Sequence, residues 1–213
     1  SEIQMMASDT FLTMGFIGFV GAHASRRPAR TRPPKSLFEP AVLVSTIGQA
    51  VLSFFVIRAG IMLAKDAMGP AAMRELLAFQ QKVDAMPMDL GFGDMQRKVA
   101  EKLAGGAGFM EIMAAMCRPF KPNPLNTVVF LVELSQRAMA LLINYRGRPW
   151  MNGLGENAPL LLGTAGSLLL VSLCALGWQP LRAPLQLDAL APGLRRQLAV
   201  LLALSTLGAF VWD

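Results

Sequence analysis

The chain has 213 residues, of which 54% are hydrophobic and only 16% charged, against roughly 25% charged in an average soluble domain. The apolar residues come in blocks rather than at helical or strand period, which argues against one or two ordinary soluble domains. The net charge of +6 is concentrated in one hydrophilic link holding Arg26, Arg27, Arg30, Arg32 and Lys35; no aromatic-interleaved basic patch supports nucleic-acid binding.

Cys117 and Cys174 are isolated thiols without CxxC spacing, and His23 stands alone. Neither a disulfide framework nor a histidine metal centre is expected from them. No basic stretch followed by a small-residue cleavage site marks a signal peptide. A chain that starts at Ser1 and turns apolar within a dozen residues reads as a piece of a longer polytopic protein.

Five blocks are long enough for a bilayer, which needs about 20 apolar residues. The first covers about residues 5–24; it carries Asp9, and Gly15, Gly18 and Gly21 suit close helix packing. The second, about 41–63, is interrupted by Gln49 and by Arg58, which can snorkel near the span's end. A long hydrophilic segment follows. Within it Pro70 opens an amphipathic pattern with Met73, Leu76, Leu77 and Val83 opposite Arg74, Glu75, Gln81 and Lys82. Asp94 is placed to cap a second helix whose Met95, Val99 and Leu103 share a face, with Gly105-Gly106 as the stop. A third apolar piece, 109–117, is too short to cross, so these helices are expected to lie against the membrane or the bundle. Met110, Met113 and Met116 stand at helical spacing there. Thioethers can bind soft copper(I), but flexible apolar packing is the favoured reading.

The third block, about 126–145, carries Glu133, Gln136 and Arg137 near its middle. An ionisable residue in a span costs about 2.5–3.5 kcal/mol even on the lenient scale, so such residues face a bundle interior or a wet cavity. Glu133 and Arg137 stand i,i+4 with the acid first, the better order for an ion pair; they either neutralise each other or touch a polar transported group. Asp9 and Gln49 likewise either satisfy a neighbouring helix or line a cavity. Asp9, Gln49, Glu133, Gln136 and Arg137 are therefore the substrate-cavity candidates. The fourth block, about 160–178, has no charge, and the fifth, about 194–212, starts behind Arg195 and Arg196. The expected fold is an all-α polytopic membrane protein, a bundle of five helices with a long, partly helical loop between the second and third.

Positive charge sets the orientation. The link 26–35 is dense in cations and belongs on the cytosolic side. Alternation then puts Ser1, residues 65–124 and residues 179–193 on the far side, and 146–159 with Asp213 on the cytosolic side. The long segment holds eight Lys and Arg against seven Asp and Glu, and the rule weakens in long loops. The chain divides into 1–64 (two spans and the basic link), 65–124 (a long amphipathic loop on the far side, lumenal if the resemblance described below holds) and 125–213 (three spans). No Ser-His-Asp set, paired catalytic carboxylates or nucleotide fingerprint is visible, and Gly105-Gly106-Ala107-Gly108 lacks the strand and Lys-Ser/Thr of a phosphate loop.

The flanks of the third block carry a resemblance. Phe120-x-Pro122 leading to Leu125-Asn126-Thr127, a span, and then Asn144-Tyr145-x-Gly147-x-Pro149 resembles the entry and exit of the eighth transmembrane helix in eukaryotic P-type ATPases of the fifth group, A branch. Ser25-Arg26-Arg27-Pro28 to Arg32-Pro33 is similar to that family's basic link after helix six. Ser8-Asp9 is similar to the pair that opens helix six, although Thr10-Phe11-Leu12-Thr13 stands where the family has a Q-A-T triplet. Gln49 falls where helix seven often has Gln. The resemblance implies helices six to ten of an endoplasmic-reticulum pump that uses ATP to remove mis-inserted transmembrane segments. It implies that the phosphorylated Asp, the nucleotide-binding domain and five helices precede Ser1. ATP and Mg would then act in the full-length protein, with no cofactor, metal or catalytic residue in this chain. The partners implied are the bilayer, the rest of the pump and transmembrane-segment substrates. The alternatives are a stand-alone small transporter using Glu133 and Arg137, or a non-catalytic membrane adaptor that binds through residues 65–124.

Overall fold

Helix is what the five blocks form. In the computed structural model, which describes residues 1–25, 36, 38–85, 92–106, 108 and 119–212, the elements are α1 (Glu2–Val20), α2 (Pro40–Asp84), α3 (Phe92–Ala104), α4 (Pro124–Asn144), a 3₁₀ turn (Leu154–Glu156), α5 (Ala158–Ala175), the single turn α6 (Gln179–Arg182) and α7 (Pro192–Trp212). There is no β-strand among the described residues, and α1, α2, α4, α5 and α7 are long and apolar enough to cross a membrane. This is an all-α polytopic membrane protein. The basic stretch 26–35, the apolar piece 109–117 with its methionines and Cys117, and Asp213 lie outside the described residues.

Local chemistry explains most of the boundaries. Helices α2, α4 and α5 carry proline in their first turn, where its missing N–H costs nothing. Asn123 caps α4 by accepting from the Asn126 amide at 2.7 Å, and Asn157 caps α5 by accepting from the Leu160 amide at 3.2 Å. Within α2 the helical path breaks at Gly69, whose φ of 73° is left-handed, and Pro70 restarts it. The amphipathic pattern expected from Pro70 is thus a second helical stretch, joined to the span with a one-residue break.

Three boundaries differ from the sequence reading. The first helix stops at Val20 rather than near residue 24, because the following backbone is engaged elsewhere: the Asn152 amide donates to His23 O and the Ser25 amide to Trp150 O. The fourth span ends at Ala175, not Trp178. There Gly177 adopts φ 81°, and the Trp178 and Gly177 amides reach back to Leu173 O and Cys174 O, a Schellman stop. Helix α3 begins at Phe92, so Asp94 lies in its first turn rather than at the cap. Gly106, at φ 71°, ends α3 as expected.

Helix α4 is the hub. Of its most apolar stretch 56% is buried, against 6% for α2. Its Val128, Leu131, Val132 and Leu134 meet Val56 and Ala64 of α2, Val171 and Ala175 of α5, and Leu194 and Leu198 of α7 in one core. Around the hub α1 pairs with α5, and α2 pairs with α7. The α1–α5 pair is glycine-lined: a Cβ on Gly163 would stand 2.4 Å from Gly15 N, and one on Gly18 would stand 2.3 Å from Leu160 N. Backbones that close leave no room for side chains, as at small-residue crossings in membranes. Outward-facing Phe54, Phe55, Leu162, Leu169 and Leu204 are exposed, the pattern of a lipid-facing surface.

The ends of the bundle sort as alternation requires. At one end Ser25 meets Trp150, and the Trp212 indole donates to Val44 O. At the other, Gln4 donates to Leu185 O, Asp188 N donates to the Thr127 hydroxyl, and Lys121 pairs with Glu75 at 2.5 Å.

Candidate functional site

A helix advances about 100° per residue, so Asn126, Glu133, Arg137, Ala140 and Asn144 fall on one face of α4. That face is the hub's uncovered side, since each of these residues keeps partial or full exposure while the residues between them are mostly buried. Helices α1 and α2 meet α4 on its two flanks, tied to it by Arg137–Asp9 on one side and Asn144–Gln49 on the other. The result is a polar groove along the hub, floored by α4 and walled by α1 and α2.

Its centre is a charge cluster. The Arg137 guanidinium pairs with Glu133 one turn earlier, donates to Asp9 Oδ1 at 3.3 Å and donates to Ser8 Oγ at 3.2 Å. The i,i+4 pair expected from spacing is therefore present, and Asp9 joins it from another helix. Asp9 and Glu133 keep side-chain exposures of 61% and 45%, so two carboxylates and one cation face the groove together. A cluster of this kind lowers the cost of each charge at membrane depth while leaving hydrogen-bonding capacity for a polar ligand.

Gln49 and Gln136 are drawn together on the adjoining side. Gln49 Oε1 accepts from Asn144 Nδ2 at 3.3 Å, and its Nε2 donates to Ser45 at 3.2 Å. Gln136 donates to Ser205 of α7 at 3.4 Å. Both line one small chamber with Ser53, Met139 and Ala140. All five candidate residues thus lie along one side of the hub, in two neighbouring groups: Asp9, Glu133 and Arg137 in the groove, Gln49 and Gln136 in the chamber beside it.

The motif residues that carry the resemblance hold the bundle's ends. Phe120 and Pro122 belong to the extended entry to α4, and Asn126 and Thr127 stand in its first turn, where Thr127 links to the α6–α7 connection. At the exit, the Tyr145 hydroxyl donates to Asn152 O at 2.8 Å and its ring meets Phe19 edge-on. A Cβ on Gly147 would stand 2.9 Å from Asn152 O, so the turn that runs from Gly147 through the cis Arg148–Pro149 bond to Met151 needs glycine there. Asn157 completes the clasp by donating to Gly18 O at 2.6 Å. Beside it, the Gly153 amide and Arg148 hold the Glu156 carboxyl below the usual carboxylate range.

Sequence reasoning passed over Asn157 and Ser205. Asn157 was findable, because Asn ahead of a proline-led apolar run is a helix-start signal. Ser205, inside the fifth span, carries no local signal that singles it out.

The hub has a second opening opposite the groove. Between α5 and α7 a cleft of about 550 Å³ is lined by Leu168, Val171, Ala199, Leu202 and Thr206, with Ser135 among its walls. Among the described residues no cluster of three or more His, Cys, Asp or Glu is placed to hold a metal.

The fold and site define a polytopic helical membrane protein with a polar groove at membrane depth. No family model matches the chain. Over 80 residues, 37% of this chain, it is 36% identical to the endoplasmic reticulum transmembrane helix translocase of Schizosaccharomyces pombe. That stretch is 7% of the yeast protein, so the chain spans a small part of the relative it matches.

Proposed function

We propose that this chain is the membrane support region of an ATP-driven P-type pump of the endoplasmic reticulum that extracts transmembrane segments, and that the groove on α4 is part of the substrate path. The observation that carries the reading is the Asp9–Arg137–Glu133 cluster in the open gap between α1 and α2. A segment leaving the bilayer must bring its polar flanks through hydrocarbon, where each unpaired polar group costs several kcal/mol. A groove with carboxylates, a guanidinium and amides offers those flanks partners along the way. The likeness to a helix translocase supports the same class of substrate. In this reading the end bearing Ser25, Trp150 and Trp212 faces the cytosol, and residues 65–124 face the lumen.

Two measurements test it. The coding sequence upstream of the Ser1 codon is expected to hold an in-frame D-K-T-G-T phosphorylation motif and a nucleotide-binding domain; a start codon there instead leaves a stand-alone transporter or adaptor. A photo-crosslinking residue at Ala140, in the groove, is expected to capture transmembrane segments of other proteins, and one at lipid-facing Leu162 is not. Equal capture at both positions removes the groove from the path.

A further inference from the structure

The chamber beside the groove holds a polar group in an unusual state. Gln136 has one amide bond to a protein group, the long one to Ser205, and its Oε1 is buried with no partner among the described residues. Exchanging the amide's O and N leaves the same deficit, since one of its two ends then still lacks a partner. Gln136 stands eight residues before Asn144, about 12 Å along the helix at 1.5 Å per residue, which puts it inside the hydrocarbon layer. An orphaned buried amide there forfeits its full desolvation cost, because lipid offers no replacement partner.

The space around it removes the deficit. The chamber has a volume of about 40 Å³, walled by Gln49, Ser53, Gln136 and Ser205 together with Met139 and Ala140. One water needs roughly 10–15 Å³ and two to four polar partners. Both conditions are met: Ser53 and Ser205 bring hydroxyls, Gln49 Oε1 has a free lone pair beyond its bond to Asn144, and Gln136 Oε1 has two. The space is too small for a lipid chain, and its lining holds no carboxylate, so a cation would sit there without a counter-charge.

We infer that this chamber is a water-binding site built into the membrane bundle, shared by α2, α4 and α7 and opening beside Ala140 onto the polar groove. Its water donates to Gln136 Oε1 and accepts from a serine hydroxyl. It joins three helices that have few other polar contacts, and it gives the groove a hydrated wall at a depth where lipid supplies none. The site follows from the chemistry of its lining, whatever the chain transports.

Met139 is a built-in reporter. It lines the chamber yet is only 3% exposed, while Met62 faces lipid at 55% and Met151 lies in the loop between α4 and α5 at 40%. X-ray hydroxyl-radical footprinting of the full chain in lipid nanodiscs generates radicals from bound water, and mass spectrometry reads the resulting sulfoxide. The expected result is Met139 oxidation about tenfold faster than Met62 and within about tenfold of Met151. In the double variant Gln136→Leu/Ser205→Val the Met139 rate is expected to fall to that of Met62. Unchanged Met62 and Met151 rates show that the variant is folded. A native Met139 rate equal to that of Met62 overturns the proposal, and that comparison does not depend on the variant. Met139 oxidation that appears only when sodium and potassium are replaced by choline overturns it in favour of a bound cation.

Discussion

Gly163→Ala tests the glycine seam. The added Cβ would stand 2.4 Å from Gly15 N, 2.7 Å from Gly15 Cα and 2.8 Å from Phe11 O. Ordinary carbon contacts are about 3.5–4.0 Å, so α1 and α5 must part by an ångström or more. Nothing soft can yield, because all three atoms are backbone. Helix α1 is also pinned at both ends, by Gln4 to Leu185 O and by Asn157 to Gly18 O, so it cannot slide away as a unit. Overpacking costs about 1–3 kcal/mol, and backbone contacts belong at the upper end. Alanine returns about 1 kcal/mol of helix propensity over glycine, leaving a net loss of about 2 kcal/mol. At roughly 2–4 °C per kcal/mol for a chain of this size, Tm falls by about 4–8 °C. Gly166→Ala is the matched control: the three atoms nearest its Cβ would all belong to the Phe11 ring, the first at 2.8 Å, and a ring can turn aside. There the propensity gain of about 1 kcal/mol offsets the contact, and Tm is expected to stay within a degree or two. Thermal unfolding of both variants in detergent reads the difference. A Gly163→Ala protein as stable as the parent, or a Gly166→Ala protein that is the worse of the two, refutes the seam.

Arg137→Gln leaves Asp9 and Glu133 facing one groove without their cation; a loss of about 2 kcal/mol is expected, below the buried-pair figure because the groove is open. Adding Asp9→Asn and Glu133→Gln is expected to restore most of the lost Tm, and failure to restore it would mean that Arg137 acts through packing instead. Asn157→Ala loses a cap worth about 1 kcal/mol and the partner of the Gly18 carbonyl, together about 2–3 kcal/mol. Asn157→Asp, which keeps the acceptor and loses the donor, is expected to fall between the two in Tm. The Glu156 carboxyl titrates below its unfolded value because it accepts from Gly153 and pairs with Arg148. Its contribution is therefore complete above the unfolded carboxylate pKa and lost as pH falls through the lower folded value. Hydrogen exchange at the Gly153 amide, normalised for intrinsic rate, is expected to stay protected from neutral pH down to the ordinary carboxylate range and to open below it. Identical profiles for the parent and Glu156→Gln would contradict this.

What could be read in advance divides along physical lines. The five spans were legible because hydrocarbon selects unbroken apolar length, and the helix start at Pro70 because proline acts on the backbone locally; the left-handed Gly69 ahead of it was not read. The helix-internal pair Glu133–Arg137 was legible for the same reason. Asp9 was not assignable between a partner and a cavity, because its partner lies 128 residues away and only helix packing brings the two together. The end of α1 at Val20 was missed because His23 and Ser25 are held by backbone groups of the α4–α5 loop, a tertiary competition that no local propensity encodes. The Gln136–Ser205 contact was invisible for the same reason. The Gly177 stop was missed although Leu-Gly-Trp after an apolar run is a usable C-cap signal.

The pairing of α1 with α5 and of α2 with α7 also dictates an order of assembly. Helix α1 finds its principal neighbour in α5, and α2 is shared almost evenly between α4 and α7, all translated after them. While the ribosome is still working, α1 stands in the bilayer with Asp9 awaiting an arginine not yet translated, and α2 stands without the helix that covers Gly48. Whatever holds them in that interval, a translocon wall or earlier helices of the same polypeptide, is a temporary partner. A chain stopped before Pro192 would leave α2 seated on α4 with its other flank, Gly48 included, permanently uncovered.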